Sequence, residues 1–202
     1  MKQRCGEITG EESFNYILAY FTNTDTRGLT IFPIHRLVKL DKIPDLDTLR
    51  LKLNDYFDVE EVKEKTRFFF LMEKGGRTEH VLGMYKDKKY FLLRLKNVRI
   101  LDKLIADKPK EYRSLDVSIF NHLILKNILG YDPENKDNLV YSAEAQDFID
   151  EVDNNPLTIA FFLNPVKIQD IIAVALNGNK MPAKSTYFYP KVWSGLVINK
   201  FV

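Results

Sequence analysis

Residues 181–191 read Met-Pro-Ala-Lys-Ser-Thr-Tyr-Phe-Tyr-Pro-Lys and pack two lysines, a serine, a threonine and two tyrosines into one short stretch. Ammonium groups, hydroxyls and backbone N–H groups are the usual means of holding a phosphate or carboxylate. Lys184, Ser185, Thr186, Tyr187, Tyr189 and Lys191 are therefore candidate ligand-binding residues. Strand alternation puts Tyr187 and Tyr189 on one face and Phe188 on the other. The same stretch also fits a loop that docks its tyrosines on the core and leaves its lysines in water.

Residues 178–185 match a phosphate-loop pattern with Ala183 in place of the second glycine. That motif needs a strand before the loop and a helix after it, so that amides and the helix dipole converge on phosphate. Here a helical pattern precedes, Pro182 removes an N–H, and a strand-like Thr-Tyr-Phe-Tyr-Pro follows, so the phosphate-loop reading is rejected.

His35-Arg36 offers a proton carrier beside a bidentate anion clamp. The competing reading is structural, because neighbours in a strand face opposite sides of the sheet. Asp116, near the start of a helical pattern, is either a reactive carboxylate or a first-turn residue stabilised by the dipole. His35 and Asp116 are the catalytic candidates, and Arg36 joins the ligand-binding set. His80 and His122 stand isolated, and Cys5 has no local partner. No His, Cys, Asp or Glu group has metal-ligand spacing, so no metal site is expected, and the chain implies no organic cofactor.

These residues must be positioned by the surrounding elements. Residues 13–22 read as a mostly buried strand, followed by a second strand over 29–40 whose Pro33 predicts an edge or a bulge. The two are expected to form an antiparallel hairpin. Leu46, Leu49, Leu53 and Phe57 recur at helical spacing after Asp45 or Asp47 as N-cap. Residues 64–74 read as a helix stopped by Gly75-Gly76, and 79–85 with 88–96 as a hairpin turning at Lys86-Asp87. Residues 114–129 form the longest helical pattern. Ser142 is expected to cap a short helix carrying Phe148, Ile149 and Val152. Residues 157–163 form a continuous apolar run suited to a central strand. Asn164-Pro165 then suits an N-cap and first-turn pair for a helix with a stripe of Ile168, Ile171, Ile172, Ala175 and Leu176. Residues 186–189 and 196–199 read as final strands. Without βαβ alternation, the pattern predicts an α+β fold, a mainly antiparallel or mixed sheet packed by helices, in a single domain over 1–202.

Composition narrows the function classes. Hydrophobic residues make up 45% and charged residues 29% of 202, values of a globular protein able to bury a core. Lys and Arg number 30 against 28 Asp and Glu, with no basic run, so a nucleic-acid partner is not supported. One cysteine allows no internal disulfide, the start leads into no apolar stretch, and no run is long enough to span a bilayer. A soluble, cytoplasmic protein with no membrane partner is expected.

The tail Met181-Pro-x-Lys-Ser-Thr-Tyr-Phe-Tyr-Pro-Lys191 with Ser194-Gly-Leu-Val197 resembles the C-terminal signature of the family known as domain of unknown function 1015. Tyr16 to Asn23, Pro33-Ile-His35-Arg36, Leu115-Asp116-Val-Ser-Ile119 and Phe161-Phe-Leu-Asn-Pro165 agree in order, while Ala183 stands where proline or glutamine is expected. The resemblance implies a chain about twice this length, of which the present sequence is the C-terminal half. It also implies a missing N-terminal half with an Asp-Gly-His-His-Arg motif, resembling the ParB-like superfamily that includes a free-serine kinase.

Two functions follow as expectations. In the first, this chain is a phosphate- or nucleotide-binding domain that completes a site shared with the missing half. Arg36 and Lys184 would neutralise a phosphorylated small molecule or nucleotide, and His35 would move a proton. In the second, it is a non-catalytic interaction or dimerisation module, forming a homodimer or docking the missing half.

Overall fold

The computed structural model describes residues 15–23, 29–42, 45–193 and 195–199. The chain divides into two compact units, residues 31–187 and a smaller one drawn from the two chain ends. In chain order the elements are β1 (Thr30–Phe32), β2 (His35–Lys39), α1 (Leu46–Asn54), β3 (Phe57–Val62), α2 (Lys65–Gly76), β4 (Val81–Lys86) and β5 (Lys89–Leu95). Then come α3 (Ile100–Leu104), α4 (Lys110–Arg113) and α5 (Asp116–Ser118), which continues as a π-helix over Ile119–Ile128. A 3₁₀ turn (Lys136–Asn138), β6 (Leu139–Ser142), α6 (Ala145–Asn154), β7 (Thr158–Phe162), α7 (Ile168–Leu176) and β8 (Tyr187–Tyr189) complete the order.

The larger unit is built on a six-stranded sheet of order β3-β5-β4-β7-β2-β6, and every described pairing in it is antiparallel. This is the α+β architecture expected from the missing βαβ alternation. Strand alternation supplies two apolar faces. Val38, Leu82, Met84, Phe91, Leu93, Ile159 and Phe161 pack with α1, α3 and the π-helix. Leu37, Val81, Tyr85, Leu92, Ala160 and Phe162 pack with α2 and α6. Both faces being covered explains why β4 and β7 read as continuous apolar runs.

Local chemistry sets several boundaries. Asp45 caps α1, its carboxylate accepting from the Thr48 N–H at 2.9 Å and the Thr48 hydroxyl at 2.7 Å. The β4–β5 hairpin turns at Asp87-Lys88, one residue later than expected, with φ of 51° and 61° as a two-residue primed turn requires. Lys86 instead belongs to the strand, where its buried ammonium donates to the Pro156 and Thr158 carbonyls.

Four expectations are corrected. Residues 16–22 carry no sheet pairing among the described residues, and Ile17 and Phe21 are 86% and 91% exposed, so the buried first strand and its hairpin are absent. Aromatic and β-branched residues favour a strand only when a partner strand and a packed face exist. Second, Pro33 and Ile34 separate β1 from β2, so the proline sits outside the ladder and β2 lies between β7 and β6 rather than at the edge. Third, residues 195–197 are turn and bend and 198–199 irregular, so no strand forms there among the described residues. Fourth, α7 begins at Ile168, three residues after Pro165, and its apolar stripe is not buried: only Val174 is, while Leu176 is 83% exposed. That helix packs against α4 at the rim, away from the sheet faces.

The long helix near 116 is present but winds wider than an α-helix. Its π segment buries Ile119, Phe120, Leu123, Ile124, Leu125 and Ile128, and the Leu129 N–H bonds the Ile124 carbonyl at 2.9 Å, five residues back. This apolar face packs against the sheet.

Candidate functional site

β4 and β7 are antiparallel neighbours, Gly83 opposite Phe162, so the start of β4 and the end of β7 meet at one end of the sheet. His80 immediately precedes β4, and Asn164 to Lys167 follow β7. The start of α5 brings Asp116 to the same place. Together they wall a cleft of about 290 Å³ that also takes in Thr78 and Asp170.

At its centre His80 Nδ1 lies 2.8 Å from Asp116 Oδ1, with the two side chains 32% and 19% exposed. A carboxylate can only accept, so Nδ1 carries the proton and the Nε2 lone pair is the acceptor of the neutral ring. This gives an imidazole whose tautomer and orientation are fixed by a carboxylate, the arrangement a general base needs.

The walls are pinned by main-chain contacts. The Asn164 side-chain amide donates to the Val81 carbonyl at 3.0 Å, and the Lys167 ammonium donates to the Arg77 carbonyl at 3.0 Å. Asn164 thus serves the cleft wall rather than capping a helix, which corrects the sequence expectation. Gly76 makes room for it: a Cβ there would lie 2.3 Å from Asn164 Nδ2. Two wall carboxylates already have basic partners, Asp116 with His80 and Glu79 with Arg94 Nη1 at 3.1 Å. Neither α5 nor α7 has a side-chain cap, and the residues at both starts, Leu115 and Lys167, line the cleft. Both starts also carry a first-turn carboxylate that lines the cleft, Asp116 in α5 and Asp170 in α7, which meets part of the positive charge of the uncapped amides.

The residues singled out in the sequence are distributed differently. His35 and Arg36 point to opposite faces of β2. His35 is buried, its ring 5.2 Å from that of Phe162, and its Nδ1 accepts from the Leu163 N–H at 3.3 Å. Burial, with the adjacent Arg36 charge, pulls its pKa down to about 4. Arg36 is 1% exposed on the other face, between the rings of Phe120 and Tyr141, each 5.7 Å from its guanidinium carbon. It donates to the Ile34 carbonyl and, at 2.9 Å, to the Lys184 carbonyl. Burial lowers its pKa to about 10, which leaves it charged at neutral pH.

Arg36 and Lys184 therefore do meet, through the lysine's backbone. Lys184 takes a left-handed φ of 56°, and the buried Ser185 hydroxyl donates to the Pro182 carbonyl at 2.6 Å. Thr186 is half-buried, and the exposed Tyr187 ring lies tilted against that of Phe32, centroids 6.1 Å apart. Tyr189 and Lys191 are exposed and belong to the smaller unit. Of the two catalytic candidates only Asp116 lines the cleft. Its partner, His80, had no sequence signal beyond standing just ahead of an apolar strand.

Among the described residues no group of three His, Cys, Asp or Glu side chains could hold a metal ion. No helix among them is long and apolar enough to cross a membrane.

The family described as "Protein of unknown function (DUF1015)" matches residues 1–118. The chain belongs to this DUF1015 family. The matched stretch of this DUF1015 protein contains both His80 and Asp116, while residues 181–191 lie beyond it. No curated protein matches the sequence. Among solved structures it is similar to a free serine kinase mutant in complex with ADP, at 8% identity and a TM-score of 0.44, covering 83% of this chain and 56% of that one. A conserved hypothetical protein from Pyrococcus furiosus matches at 11% identity and 0.44, covering 83% and 59%. A free serine kinase mutant in complex with AMP matches at 11% and 0.45, covering 83% and 57%. The DUF1015 chain thus spans 56% to 59% of the length of these structures.

Proposed function

We propose that the larger unit binds a phosphorylated small molecule or nucleotide in the His80–Asp116 cleft, with His80 accepting a proton from a ligand hydroxyl. The observation that carries this reading is the 2.8 Å His80–Asp116 contact inside a cleft walled by two uncapped helix starts. The anion is placed at the Lys167 ammonium and the two helix starts, since Asp116 and Glu79 face basic partners, while Asp170 in the first turn of α7 offsets part of that charge. Asp116 acts as a positioning residue, holding Nδ1–H so that Nε2 faces the ligand. Arg36, which fastens the Lys184 carbonyl to β2, supports the 181–186 turn rather than touching the ligand. A half contributed by a longer polypeptide would supply further contacts.

Calorimetric titration of the full 202-residue chain with AMP tests this. Saturable binding that weakens at least tenfold in His80→Gln supports it. Absence of binding, or equal binding by the variant, refutes it.

A second reading, an interaction module, has its own observation in the smaller unit. Ile17, Phe21, Trp193, Leu196 and Ile198 are between 77% and 91% exposed, more apolar surface than scattered single residues present. Light scattering distinguishes the readings: a concentration-dependent dimer that Trp193→Ser dissolves favours the module.

A further inference from the structure

Ser114 lines a second cavity, of about 320 Å³, whose other walls are Val98, Arg99, Asp102, Lys110 and Arg113. Three of these six side chains are cationic and one is acidic. The surrounding sequence is biased in the same direction: residues 94–113 hold seven Lys or Arg against three Asp or Glu, in a chain whose net charge is only +2. The cations come from two short helices, Arg99 just before α3 and Lys110 and Arg113 in α4, so the fold gathers charge that no single run in the sequence displays.

Arg113 is the deepest of them. Its Nε is buried and forms an ion pair with Asp102 Oδ1 at 3.3 Å without a hydrogen bond. A guanidinium left partly unsatisfied in a concave basic wall is suited to a tetrahedral oxyanion, which can engage several N–H donors at once. Arg113 stands three residues before Asp116, so their Cα atoms are at most about 11 Å apart. Ser114 lines both this cavity and the His80–Asp116 cleft.

We propose that Arg99, Lys110 and Arg113 form a second anion subsite beside Ser114, whose hydroxyl donates to the Glu111 carbonyl, and that it takes a phosphate group remote from the part of the ligand that meets His80. The inference deepens the reading given under Proposed function and rests on it for the identity of the shared ligand. The ligand class is accordingly a compound with a polyphosphate chain or two separated phosphates. Asp102 competes for Arg113 and tunes the affinity downward.

Two probes separate the sites, inorganic phosphate, too short to reach both, and inorganic tripolyphosphate. Arg99 and Lys110 are exposed, so the double variant Arg99→Ala/Lys110→Ala retains the fold, checked by circular dichroism. Tripolyphosphate is expected to bind the native chain at least tenfold more tightly than phosphate, and the double variant to lose that advantage. Asp102→Asn, which frees Arg113, is expected to tighten tripolyphosphate severalfold. An advantage that survives the double variant, or tripolyphosphate no tighter than phosphate, overturns the subsite. Tripolyphosphate binding that depends on Arg99 and Lys110 but not on His80 keeps the subsite and removes the cleft reading instead.

Discussion

His80 Nδ1 and Asp116 Oδ1 meet at 2.8 Å although one residue precedes a central strand and the other opens a helix on a different part of the chain. Because both side chains retain solvent access, the pair contributes little to folding, typically under about 1 kcal/mol for an exposed ion pair. Asp116→Asn should therefore leave the urea midpoint nearly unchanged while releasing the imidazole orientation. A loss above about 3 kcal/mol would mark the pair as a buried structural element instead.

Gly76 and Asn164 form a size-coupled pair. Alanine at 76 would gain about 1 kcal/mol of helix propensity, but its Cβ would sit 2.3 Å from Asn164 Nδ2 and break the bond to Val81. Losing that partner for the carbonyl of the buried Val81 costs about 1–3 kcal/mol, so Gly76→Ala should be destabilising on balance. With Asn164→Ala already present the same glycine change should become neutral or stabilising. A double-mutant cycle by chemical denaturation measures this coupling.

His35 supplies a pH dependence of stability. Its folded pKa of about 4 lies below the ordinary 6.5, so the unfolded chain binds the extra proton first as pH falls. The contribution is complete above about pH 6.5, declines between 6.5 and 4, and changes no further below that, a loss on the order of 3 kcal/mol. Denaturation curves of His35→Gln should lack this decline. An unchanged pH profile in the variant would contradict the assignment.

Arg36 holds the 181–186 turn to the sheet through the Lys184 carbonyl. Arg36→Ala removes two main-chain bonds and leaves a cavity between Phe120 and Tyr141, and should cost about 3–5 kcal/mol. Hydrogen exchange should accelerate at Ser185 and Thr186 even under conditions where the variant remains folded. Protection unchanged there would deny the turn its anchor.

The sheet and most helices were legible because the hairpin turn between 79–85 and 88–96, the continuous apolar run of 157–163 and the helical spacing around Leu49 and Phe148 match the elements that formed. The first strand misled because residues 16–22 have strand-forming side chains without a ladder. α3, α4 and β6 are short or mix burial with exposure and leave no periodic signal, while Phe57, at helical spacing after Leu53, opens β3 instead because α1 ends at Asn54. The site was half legible. Asp116 stood out as a polar residue at a helix start, but its partner is fixed by the β4–β7 pairing, a long-range contact that local spacing does not carry. His35-Arg36 looked like a reactive pair because adjacency in sequence hides the pleat, which sends one residue to each face. Lys184 met Arg36 through its carbonyl, an atom every residue has and no pattern of side chains reveals.

A phosphate-bearing ligand in the His80–Asp116 cleft would perturb the His80 ring first. The most direct measurement is the long-range ¹H–¹⁵N spectrum of the histidine imidazoles during titration with AMP. His80 alone among the three histidines should shift and saturate, and Asp116→Asn should weaken this response. Saturation that leaves the His80 signals in place, or no saturable response at all, would contradict it.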